Sequence, residues 1–211
     1  MNDWITQVLA HPELCSMGHL QRRQDNNLGL GWLYYGMART YRPRHIVCIG
    51  SWRGFVPMMF AKGMADNLEG GRVTFIDPSM VDDFWAAPAQ VASWFARFGL
   101  SNIEHHKMTT QAFVASKVFA GLAPVDLLFV DSMHTKEQAR FDHRAFESLL
   151  SEQAVVLFHD SVTSRISTLY GEDKKYDYSV CEYMDELKQS GEFQVFDIPV
   201  TDGLTLVRRA I

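Results

Sequence analysis

The stretch HIVCIGSWRGFVPMMF, from His45 to Phe60, constrains the fold of this chain more than any other part of the sequence. Its first apolar residues, 46–49, are rich in β-branched side chains and predict a short buried strand. Gly50 and Gly54 then allow a sharp turn, and the apolar residues that follow predict a helix. Because a glycine has no Cβ, backbone N–H groups and the positive end of that helix can approach a polar or anionic ligand. The stretch therefore predicts a strand–turn–helix unit with the geometry of a nucleotide site.

The spacing of the two glycines narrows the kind of nucleotide site. The pattern Gly-x-x-x-Gly lacks the third glycine of the dinucleotide fingerprint, and no Gly-Lys-Ser/Thr follows it to hold a triphosphate. A strand–turn–helix crossover that binds no ligand would also place glycines at such a tight corner. The turn alone leaves both interpretations open.

The composition excludes several classes of function. The chain has 211 residues, 47% of them hydrophobic and 21% charged, which indicates one globular domain with an N-terminal helical segment at 1–41 and an α/β core at 42–211. The net charge is -5 and the basic residues are scattered, so we expect no nucleic-acid partner. No apolar run approaches the roughly 18 residues of a membrane span, so we expect no membrane partner. Three widely spaced cysteines indicate reduced thiols and a cytoplasmic protein.

Apolar runs alternate with helical patterns after this unit and predict a mostly parallel sheet. The second predicted strand, Arg72 to Ile76, stops at Asp77, where an acid can accept hydrogen bonds from ribose hydroxyls. Asp77 could instead begin a turn with the two residues after it, and we favour the ribose role. Further strands are predicted at 102–106, 127–130 and 154–158, and the turn at 201–203 predicts an antiparallel hairpin of 193–198 and 204–208.

Ionisable residues follow two consecutive predicted strands. Asp131 and His134 come after one strand, and His159 and Asp160 end the next. Because ligands of open α/β sheets bind at the carboxyl ends of strands, these groups are well placed for chemistry. Two carboxylates there suit a divalent cation such as Mg²⁺, although one could cap a helix and the other bind backbone. Asp142 falls on the apolar side of its helix, so we expect it to have a partner or to line the site.

Two polar segments flank this predicted core. The segment 161–178, SVTSRISTLYGEDKKYDY, follows directly on the predicted site and is long enough for a lid or binding loop. Such a loop could contact a bound substrate through Arg165, Tyr170, Tyr176 and Tyr178. A solvated loop is equally compatible with the sequence. Near the N-terminus, the stretch HLQRRQDNN is too polar to form much core. It could be a flap or an oligomer contact, which leaves a homodimer open.

Two motifs together resemble a known superfamily. The stretch IVCIGSWRG resembles the first motif of class I S-adenosylmethionine-dependent methyltransferases. An apolar strand with Asp-x-x-His, a helix that bears Asp, and an apolar strand ending in His-Asp resemble a branch that includes small-molecule O-methyltransferases of antibiotic and sugar biosynthesis. The resemblance implies a Rossmann-like α/β three-layer sandwich with a mostly parallel seven-stranded sheet and an antiparallel C-terminal hairpin. It implies that S-adenosylmethionine binds at Gly50, Ser51, Gly54, Asp77, Thr109 and Asp131.

The resemblance also implies a reaction, the transfer of a methyl group from S-adenosylmethionine to an oxygen of a small-molecule acceptor. Metal-dependent members have acids at the positions of Asp131 and Asp160, which would bind Mg²⁺ here, but several of them also have an acid where this chain has His159. We interpret His134 as the general base and His159 as the alternative. In the first motif, many members of the superfamily carry an acid where this chain has Cys48, so the match to that motif is incomplete. Two other functions stay open, a nucleotide-dependent oxidoreductase and a non-catalytic domain that binds S-adenosylmethionine or a partner.

Overall fold

The computed structural model of the protein describes residues 1–15, 18–168 and 171–210. The helices in these ranges are α1 Asn2–Leu9, α2 Pro12–Cys15, α3 Gly31–Tyr41, α4 Phe55–Asn67, α5 Pro88–Ala96, α6 Thr110–Val114, α7 Lys117–Ala120, α8 Lys136–Phe146 and α9 Val180–Ser190. The strands are β1 His45–Ile49, β2 Arg72–Ile76, β3 Ile103–His106, β4 Val125–Val130, β5 Leu150–His159, β6 Arg165–Ser167, β7 Tyr176–Tyr178, β8 Phe193–Ile198 and β9 Leu204–Arg209.

Seven of these strands form one sheet in the order β3-β2-β1-β4-β5-β9-β8. The strands β1 to β5 run parallel to one another, whereas β9 runs antiparallel to both β5 and β8. The order reverses between β1 and β4, so their carboxyl ends leave a crevice where ligands bind in such sheets. This architecture confirms the predicted Rossmann-like fold and its C-terminal hairpin.

Alternate side chains of each strand enter two separate cores. Ile46 and Cys48 of β1 pack on one face, with α1, α3, α4 and α5, whereas Val47 and Ile49 pack on the other, with α6, α8 and α9. Burial on both faces explains why these strands read as continuous apolar runs. It also produces the three layers.

Two segments differ from the sequence prediction. The polar segment 161–178 contains a small antiparallel sheet of β6 and β7. In the N-terminal polar stretch, His19 is only 2% exposed, so the expectation that this stretch adds little to the core is wrong at that residue. Its hydrogen bond with Tyr34 Oη, 3.3 Å from His19 Nδ1, explains how a polar side chain is accommodated there.

Strand β5 begins four residues before the predicted start at Ala154, with its first residues partly exposed. The apolar run used for the prediction therefore marks only the buried half of the strand. Among the residues in the three described ranges, no helix is long and apolar enough to cross a membrane.

Candidate active site

The glycine turn after β1 brings the backbones of two loops into contact. Gly50 has φ 73°, and a Cβ placed on it would lie 2.0 Å from the carbonyl oxygen of Asp131. Gly54, with φ 75°, caps the N-terminus of α4, and a Cβ there would lie 2.9 Å from the ring of Phe95. Only glycine combines this backbone conformation with such close approach. The turn therefore requires glycine at both positions, at Gly50 because of the backbone of Asp131 and at Gly54 because of the ring of Phe95.

Asp77 begins a turn, one of the two roles considered from the sequence, and it also contacts the glycine turn. Its Oδ1 accepts a hydrogen bond from the N–H of Ser79 at 2.7 Å, so it does begin a turn. Its Oδ2 accepts one from the N–H of Ser51 at 3.3 Å, which links the ends of β2 and β1. Burial raises the pKa of Asp77 to about 6, although both N–H groups lower it. The carboxylate also lines the cavity and is available to a ligand there.

A cavity of about 460 Å³ lies at the carboxyl ends of the strands. The sequence-predicted site residues that line it are Gly50, Ser51, Asp77, Thr109, Asp131, His134, His159 and Asp160. Thr109 also caps α6, since its Oγ1 accepts a hydrogen bond from the N–H of Ala112 at 3.2 Å. Gly54 supports the turn from the start of α4 and packs against Phe95. The fold thus gathers these residues, from five loops, around one space.

Two tryptophans from outside the glycine turn, Trp85 and Trp94, hold it through their indole N–H groups. The indole Nε1 of Trp85 donates a hydrogen bond to the carbonyl of Trp52 at 2.6 Å, and that of Trp94 donates one to Arg53 at 3.0 Å. Trp52 itself lines the cavity in a positive-φ conformation, φ 28°, with 42% of its surface exposed. The indole bonds help to hold this strained residue in place.

His159 lies between the two carboxylates predicted as metal ligands. Its Nδ1 is 3.1 Å from Oδ1 of Asp131 and 3.1 Å from Oδ1 of Asp160. Burial lowers the pKa of His159, but the charges of Asp131 and Asp160, whose oxygens lie close to its Nδ1, outweigh it and raise this pKa to about 9. Burial raises the pKa of Asp131, but the cationic His159 brings it below its ordinary value. The three groups therefore form a charge-paired cluster.

His134 also lines the cavity beside these carboxylates, but its pKa is shifted in the opposite direction to that of His159. Its Nε2 is 3.8 Å from Oδ1 of Asp131, and its Nδ1 is 3.8 Å from Oδ2 of Asp160. Burial lowers the pKa of His134, against the opposing effect of the two carboxylates. The ring stacks on Tyr178 with centroids 4.2 Å apart. A neutral imidazole beside two acids can accept a proton, whereas the cationic His159 cannot.

Side chains from distant segments close the site. Arg165 stacks on Tyr178 at 3.9 Å, and it pairs with Asp202 at 2.8 Å and Asp160 at 3.5 Å. Tyr176 lies beside Tyr178, with ring centroids 5.5 Å apart, and Tyr170 lies outside the described residues. His19 packs 4.6 Å from the ring of His159, and burial and the charge of His159 lower the pKa of His19 to about 3. His19 and Asp202 could not be recognised as site residues from the sequence, because no local pattern connects them to the site.

Asp142 has hydrogen-bond partners, as we expected for a carboxylate on the apolar side of its helix. It is fully buried and accepts hydrogen bonds from the hydroxyl of Ser132 and, at 2.7 Å, from Nε2 of Gln138. Burial raises the pKa of Asp142 to about 6, while the hydrogen bonds from Ser132, Thr110 and Gln138 lower it. Asp142 therefore anchors the loop that carries Asp131 and confirms the expectation of a partner.

The donors do not fit a divalent metal ion. Nδ1 of His159 lies 3.1 Å from one oxygen of Asp131 and 3.1 Å from one oxygen of Asp160. Across residues 1–15, 18–168 and 171–210, no group of three or more His, Cys, Asp or Glu side chains is arranged to hold a metal. Mg²⁺ requires oxygen ligands in near-octahedral geometry, and here the nitrogen of His159 lies against one oxygen of each carboxylate.

Comparison with known proteins agrees with this geometry. A family model described as a methyltransferase domain matches residues 47–161, more than half of the chain. The O-methyltransferase TomG from Streptomyces achromogenes, solved with SAM, is 19% identical with a TM-score of 0.67, and the alignment covers 100% of this chain and 91% of that one. The SAH-bound methyltransferase PaMTH1 from Podospora anserina is 15% identical with a TM-score of 0.67, over 100% and 89%.

The O-methyltransferase from Bacillus cereus, in complex with SAH, is 15% identical with a TM-score of 0.66, over 99% of this chain and 90% of that one. No curated protein sequence is significantly similar to the chain. The family match and the shared fold, with the cavity at the end of β1, lead to one conclusion. The chain belongs to the class I S-adenosylmethionine-dependent methyltransferases.

Proposed function

We propose that the protein transfers the methyl group of S-adenosylmethionine to an oxygen of a small-molecule acceptor, with His134 as the general base. The observation that carries the proposal is the position of His134, a neutral imidazole on the cavity wall within 3.8 Å of both Asp131 and Asp160. The net charge of -5 and the concave site support a small acceptor rather than nucleic acid.

The cofactor is proposed to occupy the half of the cavity next to β1 and β2. There, backbone groups at Gly50 and Ser51 would contact the methionine part, and the carboxylate of Asp77 would bind the ribose hydroxyls. Asp131 would face the positively charged end of the cofactor, and Thr109 would lie near the adenine. Gly54 acts by shaping the turn.

The reaction needs little from the protein besides alignment and proton removal. S-adenosylmethionine supplies a methyl group that is already electrophilic on its sulfonium. The acceptor oxygen forms a bond to that methyl group as the bond from carbon to sulfur breaks, and the electron pair of that bond neutralises the sulfur. The acceptor proton passes to His134, and the resulting imidazolium is stabilised by Asp131 and Asp160. The proton then leaves to solvent through the mouth of the cavity.

The test is substitution of His134. We expect His134→Ala to lower kcat by about 10²- to 10⁴-fold, the usual contribution of a general base, across a panel of phenols, catechols and sugars. Binding of S-adenosylhomocysteine, measured by calorimetry, should stay within a fewfold of the unmodified protein. His11→Ala is the matched control, because His11 packs on Trp94 and Phe98 at the edge of the core. Full activity of His134→Ala would remove the assigned base.

The two other functions considered from the sequence make different predictions. The family match supports S-adenosylmethionine as the cofactor, and a nucleotide-dependent oxidoreductase would bind NADH in the same calorimetric experiment. A non-catalytic domain would bind S-adenosylhomocysteine but methylate nothing in the panel.

A further inference from the structure

The place between Asp131 and Asp160 is already filled. Nδ1 of His159 is at the same distance, 3.1 Å, from one oxygen of each carboxylate. An ion that bridges these two acids would have to lie about 2.1 Å from an oxygen of each. In the ranges that the structure describes, no three His, Cys, Asp or Glu side chains are arranged to hold an ion. An ion that used these two oxygens would therefore have to displace the imidazole of His159 from its contact with them.

His159 cannot easily leave that position. It is the last residue of β5, and its backbone pairs with Leu204 of β9. Its ring packs against His19 at 4.6 Å and Phe129 at 6.3 Å, and His19 is in turn stacked on Phe55 at 5.4 Å. Rotating the side chain outward would leave a void in a closely packed core, which is costly.

The remaining carboxylate oxygen of Asp160 also has partners. Oδ2 of Asp160 faces Nδ1 of His134 at 3.8 Å and the guanidinium of Arg165 at 3.5 Å. Nitrogens from β5, from the loop after β4 and from β6 thus surround Asp160. An added divalent ion would meet repulsion from Arg165 and would have to displace these contacts.

We infer that the imidazole of His159 takes the place of a divalent ion between Asp131 and Asp160, so that this methyltransferase binds no metal there and needs none for turnover. The inference rests on the proposed function and sharpens its acceptor class. A bound ion favours acceptors that chelate it through two adjacent oxygens, whereas His134 needs only one hydroxyl. An acceptor with a single hydroxyl should therefore serve as well as a vicinal diol.

The test is Mn²⁺ binding, followed by electron paramagnetic resonance on the full chain saturated with S-adenosylhomocysteine. The unmodified protein should bind no ion at this site. His159→Asp removes the imidazole and adds a third carboxylate, so it should bind one Mn²⁺ per chain at least about tenfold more tightly than the unmodified protein. Adding Asp131→Asn to His159→Asp should abolish the gained binding, which places the ion between these residues.

Two results would overturn the inference. One is stoichiometric Mn²⁺ binding by the unmodified protein that Asp131→Asn removes, a result that needs no His159 variant. The other is a folded His159 variant that still binds no Mn²⁺, since the imidazole would then not be what excludes the ion. If His159→Asp does not fold, His159→Asn offers an amide oxygen without a third buried charge and replaces it in the experiment.

Calorimetry on the same samples separates this inference from the proposed function. If the unmodified protein binds S-adenosylhomocysteine equally well with EDTA and with Mn²⁺ and methylates an acceptor in EDTA, both are supported. Loss of turnover in EDTA with cofactor binding retained would overturn the metal-free inference and leave the methyltransferase proposal intact. Lack of cofactor binding under both conditions would instead contradict the proposed function.

Discussion

The two halves of the cavity differ in whether backbone contacts or side-chain contacts shape them. The half next to β1 and β2 depends on a backbone contact, in which the turn at Gly50 presses against the loop that begins at Asp131. The half next to β5 is made of charged and aromatic side chains that come from distant segments, with His134 and Arg165 on either side of Tyr178. We expect the first half to tolerate side-chain changes that leave the backbone in place. The second half should depend on individual side chains.

The largest effect should follow from adding one methyl group to the backbone half. Gly50→Ala combines a left-handed backbone with a Cβ 2.0 Å from the carbonyl oxygen of Asp131, so we expect the free energy of unfolding to fall by about 3–5 kcal/mol. Urea unfolding measures it, and calorimetry should show that binding of S-adenosylhomocysteine is lost.

Gly70→Ala is the matched control for that prediction. Gly70 has nearly the same φ, 72°, but nothing lies within 4 Å of a Cβ there. It should therefore lose only about 1 kcal/mol, the cost of the conformation itself. Equal losses in the two variants would show that the contact between the loops is not what makes Gly50 necessary.

A middle-sized effect is expected from Asp77, the carboxylate proposed to bind the ribose in the half next to β1 and β2. The pKa of Asp77 is about 6, so this carboxyl gains a proton as the pH falls from 7 to 5, where an exposed aspartate would remain charged. Only the carboxylate accepts two hydrogen bonds from ribose hydroxyls. The affinity for S-adenosylhomocysteine should therefore fall about tenfold over that range, as measured by calorimetry.

The control for the pH prediction is Asp77→Asn, whose side chain has no charge to lose. Its affinity should be low at pH 7 and change little down to pH 5. A pH dependence that persists in this variant would assign the effect to another acid, and Asp142, with a pKa of about 6, would be the next to test.

The smallest effect should come from the rim of the side-chain half. Arg165 is 43% exposed, so its ion pairs with Asp202 and Asp160 contribute less than about 1 kcal/mol to stability. Arg165→Met should raise the KM for the acceptor about three- to fivefold and leave the affinity for S-adenosylhomocysteine unchanged. Steady-state kinetics with both substrates measure this. A change in cofactor affinity instead would mean that the two halves are not independent.

The same contrast decides how much could be predicted from the sequence. The strands, the glycine turn and Asp77 are local patterns, since a strand and the residue that ends it are adjacent in the chain. The acceptor half depends on pairs that only the fold creates. His19 lies in a polar stretch that gave no sign of burial, yet it packs on His159. Asp202 belongs to a hairpin turn, which is where an aspartate is expected in any case.

The predicted metal site shows, at His159, the same limit of prediction from the sequence. The sequence placed Asp131 and Asp160 at the ends of neighbouring strands, and the structure brings them together as expected. The sequence did not show that the imidazole of His159 would lie against both carboxylates. Which way a residue at a strand's end turns is set by packing against other segments, here against His19 and Phe129.

The position of α1 has a consequence for how the chain is made. Trp4 donates its indole N–H to the carbonyl of Phe98 at 2.8 Å, and Gln7 donates to Arg97 at 2.6 Å, contacts that span 94 and 90 residues. During translation the helix leaves the ribosome long before those partners. Its apolar face, which includes Ile5 and Val8, would be exposed to chaperones until then. The side of the site that rests on His19 can close only after β5 has been synthesised.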